Sequence, residues 1–367
     1  MKNFILLILS FFAIMPTFAD ETKILPSQIG IVENVHYTDT NEAYAQTKQI
    51  AEVKIKTGEF KGETVELENV LTGNPYYDIK LKNGVKVLLH AEDNGEGVEF
   101  SIEDIKRSGT LVWLGLIFCG MLVYVGKKKG FFSLISIGIT VLLITHILSP
   151  MILAGINPIA AAAFICIIST LITMYLVGGF NAKSTSAALG TIFSLCFAGI
   201  LAGITMITAR LTGFSGENTT FLYSAHPELN FIHLTISMIV LATLGAVMDV
   251  AMSISSTINE IYETDNSLHI KDLFISGMNV GRDIIGTMAN TLILVYLGGS
   301  LPLVLLAGNI DLQKFINLNQ VVTEIASALI GSIAIVICVP LTAITASILI
   351  HNYKKKAENE KLPWDND

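Results

Sequence analysis

Apolar and polar residues follow two different patterns along the chain, and the change falls near residue 110. Before it, apolar residues alternate with polar ones in four short runs, IAEVKIKT, ETVELENVL, YYDIKLKNGVKVLLHAED and GVEFSIED. After it, apolar residues form long continuous runs. Alternation at period two predicts half-buried β-strands, whereas runs of roughly 18 or more apolar residues predict membrane-spanning helices.

The alternating part predicts a small β domain over residues 50–108. Its apolar positions of period two are Val53, Ile55, Val65, Leu67, Ile79, Leu81, Val85 and Val87. Lys82-Asn83-Gly84 and Asp93-Asn94-Gly95 have the composition of tight turns between strands. Four or five short strands in a segment of this length predict a small barrel of the OB or SH3 type.

The apolar part predicts an α-helical polytopic membrane protein with about seven transmembrane helices. Hydropathy places the spans at about 110–126, 131–149, 158–178, 186–208, 230–252, 284–307 and 321–350. They occupy a multi-span domain over residues 109–352, and residues 353–367 form a charged tail. The predicted fold is therefore a helical multi-span protein with a small N-terminal β-barrel-like domain.

Two independent signals predict the orientation. Residues 1–19 have the basic start, apolar core and small residues of a secretory signal peptide cleaved after Ala19, with an uncleaved anchor as the alternative. Either version puts a polar lead-in arm, residues 20–49, and the β domain outside the cytoplasm. Most loop lysines then fall on the inner side, in agreement with the positive-inside rule. We expect an extracytoplasmic N-terminal domain and a cytoplasmic C-terminus.

Composition narrows the classes of function. Hydrophobic residues make up 52% of the chain, and the net charge of −8 lies mostly before residue 110, which argues against nucleic-acid binding. The four cysteines lie in apolar runs without CxxC spacing, which is typical of buried free thiols. The sequence contains no nucleophile elbow, phosphate-binding loop or paired metal motif. We therefore expect no enzyme activity, no cofactor and no metal site.

Two spans carry charged residues at membrane depth. An ionised side chain there costs a few kcal/mol, so it usually faces a bundle interior or a wet cavity. On the fifth span, one helical face carries Asp249, Ser253, Ser256 and Glu260. On the sixth, the polar residues at helical spacing are Asn279, Asp283, Thr287, Asn290 and Thr291.

The two polar faces are expected to meet, because consecutive spans are often neighbours in space. Asp249 would then lie close to Asp283 and Asn290, and together with Arg282 these side chains would form an ion pair or a proton relay. The alternative is that Arg282 and Asp283 lie at the headgroup level, at the start of a helix.

A glycine pair, Gly298-Gly299, precedes Pro302 at the end of the sixth span. This composition favours a broken or bent helix, and transporters expose backbone polar groups to substrate or ions at such breaks. Close packing of helices through small residues is the alternative.

The run GRDIIGTMANTLILVYLGGSLPLVLL, preceded by GAVMDVAMSISSTINEI, closely resembles the YibE/F family of bacterial membrane proteins. The resemblance covers most of residues 50–350 and implies a protein of the bacterial inner membrane. A more distant resemblance links the chain to SecF-type and related RND permeases, through the order of Gly245, Ile258-Asn259-Glu260, Arg282 and Gly298-Gly299. It implies proton-coupled movement, although Asp249 falls one residue before the acidic position of those relatives.

These observations predict a permease or export accessory, proton-coupled through Asp249 and the facing polar helix. The alternative is a non-catalytic envelope assembly protein, in which the β domain, residues 50–108, binds an envelope partner and the intramembrane charges only lock helix packing. The lipid bilayer is the expected surrounding in both cases, and self-association into a homo-oligomer is left open. The sequence does not specify a substrate.

Overall fold

The structure is a computed structural model that describes residues 24–38, 47–93 and 98–359. The predicted signal peptide, residues 1–19, lies outside the described residues. The chain forms two compact units that divide near residue 122. The first contains the strands and the beginning of the helix that starts at Ser108, and the second contains the other helices.

The first unit is an antiparallel sheet of five strands: β1 Ile24–Thr38, β2 Thr47–Ile55, β3 Thr64–Leu71, β4 Lys86–Asp93 and β5 Val98–Ile105. The spatial order is β3-β2-β1-β4-β5, so the long first strand pairs with both β2 and β4. The two outer strands, β3 and β5, contact each other and nearly close the sheet. The predicted small barrel-like β domain is confirmed as a nearly closed sheet of five strands.

The barrel begins earlier than the sequence pattern indicates. Residues 20–49 were expected to form an irregular arm, but β1 is the central strand of the sheet. Two of its inward positions are occupied by Gln28 and Gly30 rather than by apolar residues. The alternation of apolar and polar residues that predicts a strand is therefore interrupted there. Gly30 is required where it lies, because an added Cβ would fall 2.3 Å from Cγ1 of Val53 on the neighbouring strand.

A buried glutamine holds the segment between β3 and β4. Gln49 is fully buried; its amide donates to the carbonyl of Leu81 and its Oε1 accepts from the amide of the same residue, at 3.2 and 3.0 Å. Asn69 donates to Gln49 Oε1 at 2.9 Å. These side chains take the place of strand pairing, so Leu81 is a core residue although its segment is not a strand.

In the described part of the chain, six helices are long and apolar enough to cross a membrane: Ser108–Leu153, Pro158–Gly178, Ala182–Thr208, Phe231–Thr264, Ile270–Gly299 and Asn319–Tyr353. The first comprises α1 (Ser108–Leu143), a π-helical turn (Ile144–Leu148) and α2 (Ser149–Leu153). Its 46 residues exceed one membrane crossing, and Lys127 breaks it at φ 47°, ψ −129°. The two spans expected at 110–126 and 131–149 lie on either side of this break.

The remaining helices are α3 (Pro158–Gly178), α4 (Ala182–Thr208), α5 (Glu217–Ala225), α6 (Phe231–Thr264), α7 (Ile270–Gly299), α8 (Leu301–Leu306), α9 (Leu312–Ile316) and α10 (Asn319–Asn359). Helix α10 packs against α4, α6 and α7 and forms the centre of the helical unit. The predicted class, a helical multi-span membrane protein, is confirmed.

Small residues and hydroxyl groups hold these helices together. A Cβ added to Gly190 of α4 would fall 2.1 Å from Oγ1 of Thr342, so the two backbones approach closely. The buried Ser194 hydroxyl donates to the carbonyl of Ala334 at 2.6 Å. A hydroxyl buried in hydrocarbon needs such an acceptor, and these contacts therefore fix α4 against α10.

Candidate functional site

The depth of Asp249 can be read from a contact between α6 and α10. Helix α10 carries no acidic or basic residue between Glu324 and His351, a stretch of 26 residues and about 39 Å. Cys338 lies near its middle, and its thiol donates to the carbonyl of Val247, with Sγ and O 3.6 Å apart. Asp249 follows two residues later in α6. Its carboxyl group therefore lies at the level of the middle of the most apolar helix.

Arg282 and Asp283 lie at a similar level. They follow Gly281, where an added Cβ would fall 2.2 Å from Cγ1 of Val339. The sequence pattern started the sixth span at residue 284, but α7 begins at Ile270, twelve residues before Arg282. Both residues therefore lie within α7 rather than at its start, close to the level of Val339 on α10.

The polar stripe of α6 points out of the bundle. Asp249, Ser253 and Glu260 are exposed, whereas Val247 and Val250 on the opposite side are fully buried. The Ser253 hydroxyl donates to the backbone carbonyl of Asp249 at 2.8 Å rather than to its carboxylate. Within the residues that the structure describes, the Asp249 carboxylate has no hydrogen bond or ion pair.

The polar stripe of α7 also points outward. Arg282, Asp283 and Asn290 are exposed. Within the described residues, Asp283 has no salt-bridge partner, and Arg282 donates to Asn279 Oδ1 one turn away at 2.9 Å. The structure thus places all the charged site residues on α6 and α7 but does not join Asp249 to Asp283 or Asn290.

Glycine explains why the polar faces do not meet inside the bundle. An added Cβ at Gly277 would fall 2.6 Å from Cδ1 of Ile258 on α6 and 3.3 Å from Cβ of Ala343 on α10. The face of α7 that carries Gly277 and Gly281 therefore makes the close contacts. The face with Asp283 and Asn290 lies on the other side of the helix, because those positions are half a turn away.

The helix break after the glycine pair adjoins a cavity. Helix α7 ends at Gly299, and α8 begins two residues later with Pro302 in its first turn. Around Gly298, Gly299 and Gly245, no described atom lies within 4 Å of an added Cβ, so packing within the helical unit does not require glycine at these positions.

The cavity beside the break has a volume of about 300 Å³ and a largely apolar wall, to which Tyr296, Ser300 and Glu324 contribute. The sequence interpretation did not include Glu324 in the site, because an acid in the first turn of a helix also suits the helix dipole. The residues that surround Glu324 in the cavity wall come from several helices, so its apolar surroundings are evident only from the structure.

The β unit carries a separate feature, an ordered loop over residues 72–78. Asp78 accepts hydrogen bonds from the amides of Thr72 and Gly73, at 2.6 and 2.9 Å, and from the Thr72 hydroxyl at 2.9 Å. Desolvation alone would raise the pKa of Asp78, but these hydrogen bonds and the charge of Lys80 lower it below its ordinary range. The loop presents Tyr76 and Tyr77, which are 76% and 68% exposed and pack edge to face.

In the described ranges, no group of three or more His, Cys, Asp or Glu side chains is placed to hold a metal ion. The site residues that the structure brings to one depth are thus Asp249, Arg282 and Asp283. Glu260 lies on the same stripe of α6 as Asp249, three turns closer to the α6–α7 loop.

Comparison with known proteins gives two family matches. Residues 114–352 match the family model described as YibE/F-like protein, and residues 24–105 match the YibE/F family N-terminal domain. No curated protein and no solved structure matches the chain. The likeness to SecF-type and RND permeases rests on the order of motifs alone.

Proposed function

The chain belongs to the YibE/F family, and from that premise we propose that it is a membrane permease, or the permease part of an export system, in which Asp249 carries the coupled charge. The observation that supports the proposal is the position of Asp249 on an outward stripe of α6, level with the middle of α10. A carboxyl group at this depth can change its charge by binding a proton or a cation. We propose no enzyme activity.

The physical argument concerns the cost of the charge. An ionised aspartate in hydrocarbon costs about 3 kcal/mol on insertion scales. Within the described residues, no ion pair offsets the free-energy cost of an ionised Asp249. A neutral residue would therefore serve helix packing alone at a lower cost. Polar or ionisable residues at such depth typically mark a pathway for ions or protons.

The rest of the stripe indicates the course of the pathway. Ser253, Ser256 and Glu260 continue from Asp249 toward the α6–α7 loop, which the positive-inside rule assigns to the cytoplasmic side. On α7, Asp283, Arg282 and Asn290 add a second set of polar groups at nearly the same depth. We propose that the pathway follows these two faces in the inner membrane, with the β unit outside the cytoplasm.

The test is ion-driven dissipation of a pH gradient in proteoliposomes, with Na⁺, K⁺ and Mg²⁺ as the driving ions. Wild-type protein should dissipate the gradient with at least one ion, and Asp249→Asn should reduce the flux to that of protein-free liposomes. Asp265→Asn, the same change in the exposed loop after α6, is the matched control and should transport like the wild type. Wild-type flux from the Asp249→Asn protein would remove Asp249 from the mechanism.

A second candidate function is envelope assembly through the β unit. The loop of residues 72–78 supports it, because two exposed tyrosines on an ordered loop have the composition of interaction hot spots. In a strain that lacks the gene, the two functions give opposite results. Restoration by Asp249→Asn but not by Tyr76→Ser/Tyr77→Ser would favour assembly, and the reverse would favour transport.

A further inference from the structure

We propose that a second copy of this chain packs along the outward face of α7, parallel to it and related by a two-fold axis along the membrane normal. This inference goes beyond the transport proposal and does not depend on transport activity; it places the α7 part of the proposed pathway at the contact between two copies. Three properties of α7 carry it: one-sided packing, a polar seam with regular spacing, and a pair of opposite charges at the middle of that seam.

Helix α7 uses only one of its faces within the chain. Its buried positions are Leu273, Gly277, Gly281 and Leu292, and they lie on the face that packs against α6 and α10. Leu292, for example, contacts Gly331, where an added Cβ would fall 2.5 Å from its Cδ2. On the opposite face, the residues from Asp272 to Asn290 are exposed or half-exposed, whereas Ile293 and Leu297 at its end line the cavity together with residues of α8 and α10.

The open face forms a continuous seam with the spacing of a coiled coil. Steps of four and three residues alternate along it, through Asp272, Ser276, Asn279, Asp283, Gly286, Asn290, Ile293 and Leu297. Seven of these positions are exposed, and Ser276 is half-exposed. Alternate steps of three and four residues keep one face of a helix against a parallel partner. The spacing therefore fits a helix partner rather than a single small ligand.

The charged residues on this face can form ion pairs with the same residues of a second copy. Asp283 lies in the seam, and Arg282 flanks it at the preceding position. A two-fold axis parallel to the helix places Arg282 of each copy beside Asp283 of the other, at equal depth. Two ion pairs then form at the level of Val339, where an unpaired charge is most costly.

Two further seam residues suit a close partner. Gly286 has no described atom within 4 Å of an added Cβ, so its backbone is open to approach by another helix. Asn290 lies one turn beyond and would meet its own copy across the axis, where two amides can hydrogen-bond to each other. An asparagine in such a seam fixes register and favours pairs.

Other occupants fit this face less well. Lipid tails cannot satisfy the Arg282, Asp283 and Asn290 side chains. An unrelated helix would need an acid and a base at matching depth, whereas a second copy brings both by symmetry.

Disulfide cross-linking in membranes tests the proposal on the full-length chain with its four native cysteines replaced by serine or alanine. Asn290→Cys should cross-link to dimers under mild oxidation. Val295→Cys, which is exposed on another face of the same helix, is the matched control and should not. Equal yields of dimer from the two variants would overturn the proposal.

Charge exchange tests the two-fold pairing itself. Arg282→Asp and Asp283→Arg each put like charges together and should lower dimer formation about tenfold. The double variant Arg282→Asp/Asp283→Arg restores both ion pairs and should recover it. Membrane abundance and melting temperature of each variant separate loss of dimer from loss of fold. Folded single variants that dimerise normally, or a folded double variant that stays monomeric, would contradict the arrangement.

Discussion

Gly281 of α7 lies directly against Val339 of α10, so closely that an added Cβ would fall 2.2 Å from the Cγ1 atom of the valine. Val339 is near the middle of an apolar segment of 26 residues. The contact therefore sets the depth of the next two residues, Arg282 and Asp283. It also turns their helix so that the polar face points away from the bundle.

Substitution of Gly281 by alanine should destabilise the helical unit by about 1–3 kcal/mol, the range for an overpacked core. Val339 is β-branched and fully buried, so its methyl group cannot easily move aside. Thermal unfolding in detergent measures the effect. Gly203→Ala on α4 is the control, because no described atom lies within 4 Å of its added Cβ. Equal melting temperatures for the two variants would show that the close contact does not exist.

Replacement of Gln49 by leucine should destabilise the β unit by at least about 2 kcal/mol. The change leaves the amide and carbonyl of Leu81 without their partners in a buried position, and each unsatisfied group costs about 1–3 kcal/mol. Glu52→Gln on the exposed side of the same strand should have little effect. Hydrogen exchange of the Leu81 amide in the full-length protein distinguishes the two variants, and unchanged protection after Gln49→Leu would contradict the role of the clamp.

Acid should loosen the tyrosine loop. The folded pKa of Asp78 is lowered, so its contribution to loop order is complete above the unfolded pKa of about 4 and is lost as the pH falls through the folded value. Hydrogen exchange of the Thr72 and Gly73 amides should therefore show protection at neutral pH that disappears only below about pH 4. Asp78→Asn should weaken protection at pH 7. Protection that is independent of both pH and this substitution would show that other contacts order the loop.

Reporter fusions should reveal opposite sides of the membrane for the two ends of the chain. Alkaline phosphatase fused after residue 105 should be active, because that enzyme folds only outside the cytoplasm, and the same fusion after residue 353 should be inactive. The distribution of loop lysines is the physical basis. An active fusion after residue 353 would reverse the assigned C-terminal side and, with it, the direction of the polar stripe.

The sequence pattern was sufficient where burial follows a simple period. Alternating apolar residues located β2, β3 and β5, and continuous runs located the candidate membrane helices, with two spans predicted inside the long helix Ser108–Leu153. The pattern was insufficient where a polar residue occupies a core position. Gln28 does so in β1, and Gln49 does so beside Leu81, in the segment between β3 and β4. The alternating residues around Ile79 and Leu81 form no strand, because side chains of β2 and β3 hold that backbone instead.

The candidate site was only partly predictable for a related reason. The residue types and their helical spacing are visible in the sequence, and Asp249, Ser253 and Glu260 are all exposed on α6. The direction in which that face points depends on glycines such as Gly277 and Gly281, which decide how α7 rotates against its neighbours. Tertiary contacts between small residues leave no periodic signal, so the outward direction of both polar stripes was not foreseen.

The most direct test of the account is the proton flux of three proteins in the same liposomes: wild type, Asp249→Asn and Asp249→Glu. If Asp249 carries the coupled charge, the asparagine variant is inactive while the glutamate variant, which keeps the carboxyl group, regains flux. Both variants should insert and melt like the wild type, since the side chain lies on the outward face of α6. Equal flux from Asp249→Asn and wild type, or no flux from the wild type above empty liposomes with any driving ion, would contradict the proposed function.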